Sequence, residues 1–177
     1  MRIVAGTRKG ARIFAPKGLD TRPTGDRVRE AAFNLIGPVE GASVIDLFAG
    51  SGAMGLEALS RGAERAVFVD SDREACRAIE RNLVKLELIG ARVVCVDALR
   101  FLAHEHSRYD LVFVDPPYEM VESLQMQLGS YLSAVLDEDG LLVFETAART
   151  EPALPLALRA SRRYGSARLT LFAHEAR

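Results

Sequence analysis

The chain has 177 residues, 49% of them hydrophobic and 27% charged, with a formal net charge of −1. This predicts one water-soluble domain with room for a short appendage, and no apolar run is long enough to span a membrane. The start, "MRIVAGTRKG", lacks the apolar core of a signal peptide, and Cys76 and Cys95 show neither metal nor redox spacing, so a cytoplasmic protein with reduced thiols and no metal is expected.

The small net charge hides an asymmetry. Residues 1–30 hold eight basic side chains (Arg2, Arg8, Lys9, Arg12, Lys17, Arg22, Arg27, Arg29) against three acids (Asp20, Asp26, Glu30), a net of +5 that leaves −6 for the rest. A basic arm on an acidic body predicts contact with a polyanion. Within the arm, "RIVAG" and "ARIFAP" are short β-prone runs around the basic turn "TRKG", which predicts a small hairpin. "PTGDRVREAAFNLIG" predicts a helix, with Asp26 as N-cap, Val28, Ala31, Ala32, Leu35 and Ile36 near helical spacing, and Gly37-Pro38 as the stop. Residues 1–38 are therefore expected to form a basic extension, and residues 39–177 the main domain.

From residue 43 strands and helices alternate. "SVIDLF", "RAVFVD", "ARVVCV", "YDLVFVD" and "GLLVFE" are strand candidates, with helical patterns at about 53–62, 72–88, 98–104 and 119–136 between them. Short apolar strands separated by amphipathic helices predict a parallel sheet covered on both faces, with right-handed crossovers. The tail, "LALRASRRYGSARLTLFAHEA", predicts two strands turning at Tyr164-Gly165-Ser166, an antiparallel hairpin on the sheet edge. The expected fold is α/β and Rossmann-like, a mostly parallel seven-stranded sheet.

In such sheets ligands bind beyond the carboxyl ends of the strands. Asp46, Asp70 with Asp72, Asp97 and Asp115 fall at four successive strand ends. Gly50-x-Gly52-x-x-Gly55 opens a helix after the first strand, and Asp70 lies 20 residues after Gly50. Glycines let a backbone approach a ligand, and the acid after the second strand suits ribose hydroxyls, so the loop predicts a nucleoside-containing cofactor without choosing which. Asp46 opposes a dinucleotide, because it would sit beside the pyrophosphate. It suits a cation instead, and S-adenosylmethionine carries an ammonium, a sulfonium, a ribose and an adenine, whose amino group Asp97 could bond.

"DPPY" follows the fourth strand. Prolines cannot extend a ladder, so the strand ends there and presents the Asp115 carboxylate, the Pro116 carbonyl and the Tyr118 ring to the site. Two acceptors can hold both N–H groups of a base's exocyclic amine and turn its lone pair toward a methyl donor, while Tyr118 stacks on the base. The gain is orientation and electrostatics.

"DLFAGSGAMGLEALSRGA" with "DPPY" resembles class I methyltransferases that act on exocyclic amines. "RIVAGTRKGARI" and "RPTGDRVREAAFNLI" narrow the resemblance to the RsmD family, which methylates guanine N2 in 16S ribosomal RNA. It extends over nearly the whole chain. The resemblance implies that Asp46, Phe48, Ala49, Gly50, Ser51 and Gly52 form the methionine-side floor, that Asp70 and Ser71 hold the nucleoside, and that Asp97 and Ala98 hold the adenine. Asp115, Pro116 and Tyr118 would be catalytic. Arg8, Lys9, Arg12, Arg22, Thr24, Arg27 and Arg29 would contact RNA, presented to a monomeric enzyme in a small-subunit particle. Two rival functions stay open: a DNA adenine-N6 methyltransferase, which shares the glycine and DPPY motifs, and a non-catalytic RNA-binding assembly factor.

Overall fold

A computed structural model describes residues 1–16, 25–117 and 120–175, with side chains for all of these except 122–124. Strands β1 (Ser43–Leu47), β2 (Arg65–Asp70), β3 (Ala91–Cys95), β4 (Tyr109–Val114), β5 (Leu136–Ala147), β6 (Ala157–Tyr164) and β7 (Ala167–Ala173) form one sheet in the order β3-β2-β1-β4-β5-β7-β6. The first five are parallel. The last two form an antiparallel hairpin whose β7 pairs with β5 and whose β6 is the edge. Helices α1 (Asp26–Ile36), α2 (Ala53–Ser60), α3 (Arg73–Leu86), α4 (Ala98–Leu102) and α5 (Val121–Val135) complete the described elements.

Alternation along each strand sends successive side chains to opposite faces. Val44, Phe68, Leu111 and Phe113 join one core layer with Phe33, Leu56 and Ile79. Ile45, Leu47, Val112 and Val114 join the other with Leu128, Leu132 and Phe144. Both faces being covered explains why β1 and β4 read as near-continuous apolar runs.

Three expectations need adjustment. The N-cap of α1 is Gly25, and the Asp26 carboxylate is engaged by Arg2 Nε and Arg29 Nη2, each at 3.0 Å. β5 starts at Leu136, immediately after α5, and is twelve residues long, well beyond "GLLVFE". The arm closes through a single antiparallel bridge, Arg2 to Arg12, instead of two full strands. Its course bends at Gly6 and Gly10, both at positive φ, and its tip docks on α2, where Thr7 N donates to Ser60 O at 2.7 Å. A Cβ on Gly6 would lie 1.8 Å from that same oxygen, so only glycine permits the contact. Ile3 and Ile13 are buried in the layer that holds Phe33, so the arm packs into the body's own core.

Candidate active site at the carboxyl ends of the strands

The glycine loop leaves β1 through left-handed backbone at Phe48, Gly50 and Gly52, with φ of 58°, 55° and 76°. Its glycines serve different needs. A Cβ on Gly50 would meet only the Phe48 carbonyl, at 4.0 Å, so backbone conformation and not crowding calls for glycine there. A Cβ on Gly55 would lie 2.3 Å from the Phe68 ring, so that glycine lets α2 pack on β2. Within the loop Ala49, Ser51 and Gly52 are buried, and Phe48 is half-buried against the second core layer.

Asp46 is 3% exposed, and its Oδ2 accepts a hydrogen bond from Gly55 N at 2.9 Å. No basic side chain reaches it among the described residues. Burial lifts its pKa to about 7; the Gly55 N–H opposes that rise, and the charge of Asp70 adds to it. Asp70 is half-buried at the end of β2. Its Oδ2 accepts from Gly50 N and its Oδ1 from Asp72 N, both at 2.8 Å, which ties the second strand's acid to the glycine loop. Each oxygen keeps a second lone pair for a ligand hydroxyl.

Asp72 caps α3 through Glu74 N, and Asp97 caps α4 through Arg100 N. Ser71 and Asp97 are exposed beside these helix starts, and Ala98 is buried. Asp115 is half-buried just past β4, and its N–H donates to the Leu47 carbonyl at 3.5 Å. This long bond keeps the backbone of Asp115 beside the end of the strand that opens the glycine loop. Pro116 is buried, and the Pro117 carbonyl accepts from Met120 N at 2.9 Å. Tyr118 lies outside the described residues. The structure therefore gathers Asp46, the glycine loop, Asp70, Asp97 and Asp115 at one edge.

The arm behaves differently. Arg29 is fully buried, which corrects its expected role in RNA contact: its Nε donates to Glu57 Oε2 at 3.4 Å, and its Nη2 bonds the Arg2 carbonyl and Asp26. Arg8 is only partly exposed, donates to the Leu86 and Glu87 carbonyls, and pairs with the Glu87 carboxylate. Lys9, Arg12 and Arg27 are exposed, while Arg22 and Thr24 lie outside the described residues.

Glu57 and Asn82 were not singled out by sequence. Glu57, 0% exposed, accepts from Val4 N at 2.8 Å, Ala5 N at 2.9 Å, Arg61 Nε at 2.8 Å and Arg29. Asn82 accepts from Phe14 N at 2.7 Å and donates to the Phe14 and Ser51 carbonyls at 3.0 and 3.2 Å, joining the arm to the glycine loop. The one available signal was an acid in the otherwise small and apolar α2. Cys76 and Cys95, 19 residues apart, lie beside this edge, with thiols donating to the Asp70 and Ser71 carbonyls. Burial and contact with Cys95 push the Cys76 thiol up to about 12.

Comparison with known proteins gives a consistent assignment. The family model described as conserved hypothetical protein 95 matches residues 1–173. A Bacillus subtilis (strain 168) protein provisionally named rRNA methyltransferase YlbH is 43% identical over 152 residues, 82% of each chain. Ribosomal RNA small subunit methyltransferase D of Escherichia coli (strain K12) is 44% identical over 119 residues, 67% of this chain and 60% of that protein. A solved Escherichia coli structure provisionally described as methyltransferase yhhF superposes with a TM-score of 0.89 at 36% identity, covering 100% of this chain and 99% of the other.

Proposed function

The chain belongs to the conserved hypothetical protein 95 family, the RsmD family, and on that premise we infer that it transfers a methyl group from S-adenosylmethionine to the exocyclic N2 amine of a guanine in 16S ribosomal RNA. The observation that carries the reading is the Asp115–Leu47 backbone contact, which keeps the residue with the amine-holding carboxylate beside the strand that opens the cofactor loop. The relatives' names support ribosomal RNA as the substrate class.

The donor set fits this cofactor. Asp46 offers a buried carboxylate with no cation beside it among the described residues, Asp70 offers lone pairs at the nucleoside side, and Gly50 leaves its Cβ position open. Asp46 and residues 48–52 would floor the methionine end, Asp70 would hold the ribose, Ser71 would lie against the adenine face, and Asp97 and Ala98 would hold the adenine. When bound, S-adenosylmethionine supplies an electrophilic methyl on a sulfonium. The chain's own part is to hold the nucleophile. Asp115 Oδ and the Pro116 carbonyl accept the two N–H groups of the amine, which fixes the nitrogen and loosens its lone pair from the ring. Pro116, buried and locked in φ, keeps the carbonyl in place. Tyr118 would stack on the base. The amine becomes strongly acidic as the methyl arrives, so Asp115 can receive its proton without being a strong base.

The exposed arm cations Lys9, Arg12 and Arg27 are available to RNA phosphates, with Arg22 and Thr24, whereas Arg8 and Arg29 are taken up by the protein's own packing. A monomer acting in the cytoplasm on a small-subunit particle completes the reading. No described helix is long and apolar enough to cross a membrane. The test is a substrate panel with tritiated S-adenosylmethionine: naked 16S rRNA, small subunits lacking the mark, and duplex DNA. Label on rRNA or the small subunits, and none on DNA, is expected. Label on DNA alone would make the enzyme an adenine-N6 methyltransferase, and no label with intact RNA binding would make it an assembly factor.

A further inference from the structure

A base can reach Asp115 only if RNA approaches the carboxyl edge of the sheet. That edge is lined by Asp46, Asp70, Asp72, Asp97 and Asp115, which repel phosphates. The tip of the arm does not offset them at close range. It docks on Ser60 and on the Leu86 and Glu87 carbonyls, at the last turns of α2 and α3. Both helices run away from the carboxyl edge, so at 1.5 Å per residue the tip's contacts lie about 10 Å along α2 and about 20 Å along α3 from the helix starts beside that edge.

On the other side of Asp115 the C-terminal hairpin reaches past the edge. Val114, the last residue of β4, pairs with Phe144, and β5 continues to Ala147. Ala147 pairs with Ala167, which faces Tyr164 across the hairpin. The β6–β7 turn therefore stands three residues, about 10 Å, beyond the end of β4. Arg162 and Arg163 immediately precede Tyr164, are exposed, and leave opposite sides of the edge strand, in register with Leu169 and Arg168. Arg149 is exposed in the turn after β5, where Ala148 N donates to Ser166 O at 2.9 Å and holds that turn to the hairpin.

These three guanidiniums have no ion pair among the described residues; Arg162 Nη1 donates only to the Ser161 carbonyl. Sequence positions 152–173 contain no acid. The neighbouring Glu151 is already engaged by Arg168 Nη2 at 3.0 Å. Arg159 is a different case, because it donates to the His174 carbonyl toward the far end of β6.

Resting on the reading of this edge as an RNA methylation site, we propose that Arg149, Arg162 and Arg163 form a phosphate-binding rim around the hairpin tip, with Arg162 and Arg163 on its two sides, for the RNA strand that flanks the target base. Guanidinium forks match phosphate oxygens, and backbone contacts position a nucleic acid while the pocket reads the base. β6 lies three strands from β4, about 15 Å at 4.8 Å per strand, or about four stacked nucleotides at 3.4 Å each. A strand with its base at Asp115 thus reaches the hairpin within a few phosphates.

The experiment compares the wild type with R149A/R162A/R163A, with R149K/R162K/R163K, and with the arm variant K9A/R12A. A 16S rRNA transcript is bound across a salt series, S-adenosylmethionine binding is followed by calorimetry, and methyl transfer gives KM. The alanine triple should weaken RNA binding and raise KM about tenfold or more, and its log–log salt slope should fall by roughly 0.7–0.9 for each phosphate that is no longer neutralised. Cofactor affinity should not move, the lysine triple should keep most of the salt slope, and K9A/R12A should change both quantities less. An alanine triple with wild-type affinity, slope and KM overturns the surface, as does K9A/R12A carrying the whole loss. A wild type that binds RNA through these arginines yet transfers no methyl refutes the functional reading and leaves the surface standing. A wild type that binds no RNA overturns both.

Discussion

Asp46, bonded to the third residue of α2, and Glu57, the fifth, are two buried carboxylates on one short helix's backbone and side chains. Among the described residues Asp46 has one hydrogen bond, from the Gly55 N–H, and no cation. Glu57 has two backbone N–H groups and two guanidiniums. A buried charge is costly unless it is paired and bonded, so Glu57 is satisfied in the folded chain and Asp46 is not. The difference separates structure from function along one helix. The saturated acid fastens the arm to the body, and the unsatisfied acid is poised for a cationic ligand. The comparison predicts opposite signs for the two substitutions.

Glu57→Ala should have the largest effect. It removes the buried carboxylate beside Arg29 and strands the Val4 and Ala5 N–H groups, for a loss of about 3–5 kcal/mol in urea unfolding. A loss below about 1 kcal/mol would mean that the arm is held by its apolar contacts alone.

Asp46→Asn should go the other way. The folded-state pKa of Asp46 is raised from 3.8 to about 7, so its contribution to stability is complete below about pH 4 and is lost as pH rises through about 7. The Asn variant lacks that loss. Above pH 7 the unliganded variant should be more stable than the wild type, by an amount on the order of a few kcal/mol, while binding S-adenosylmethionine more weakly. In the wild type, cofactor affinity should rise with pH through about 7 as Asp46 ionises against Asp70, the charged neighbour that raises its pKa. Thermal melts and calorimetry at pH 5, 7 and 8.5 check both parts, and an Asn variant that is less stable at pH 8.5 would break the contrast.

Asp70→Ala sharpens the cofactor side. Removing it strands the Gly50 and Asp72 N–H groups and any ribose contact, so S-adenosylmethionine affinity should fall by roughly 1–3 kcal/mol by calorimetry, with RNA affinity unchanged. A loss of another kind is expected from Gly55→Ala, about 1–3 kcal/mol in stability from overpacking against Phe68 with little change in cofactor affinity.

The fold was legible because its signals are local. β2 runs Arg65–Asp70, as "RAVFVD" reads, and β1, β3 and β4 lie within their apolar runs. The acids at the strand ends were legible too, since a parallel sheet places all its carboxyl termini on one side. The arm's fate was not legible. Arg29 sits in a run that reads as a solvated basic face, and its partner Glu57 lies 28 residues away. Such pairing depends on how α1 crosses α2, which no window along the chain contains. Charge counting likewise gave the arm a net of +5 without showing that Arg8 and Arg29 are consumed internally. Gly50 and Gly55 look alike in the motif, yet only Gly55 is a packing requirement, because only the structure puts Phe68 against it.

The most direct test of the account is to methylate 16S rRNA with labelled S-adenosylmethionine, digest the product to nucleosides, and compare the wild type with Asp115→Ala. The account predicts that all label elutes as N2-methylguanosine, and that Asp115→Ala, folded and able to bind cofactor, transfers at least about a hundredfold more slowly, the scale of one preorganised electrostatic group. Label in any other nucleoside, or an undiminished rate in the Ala variant, would contradict it.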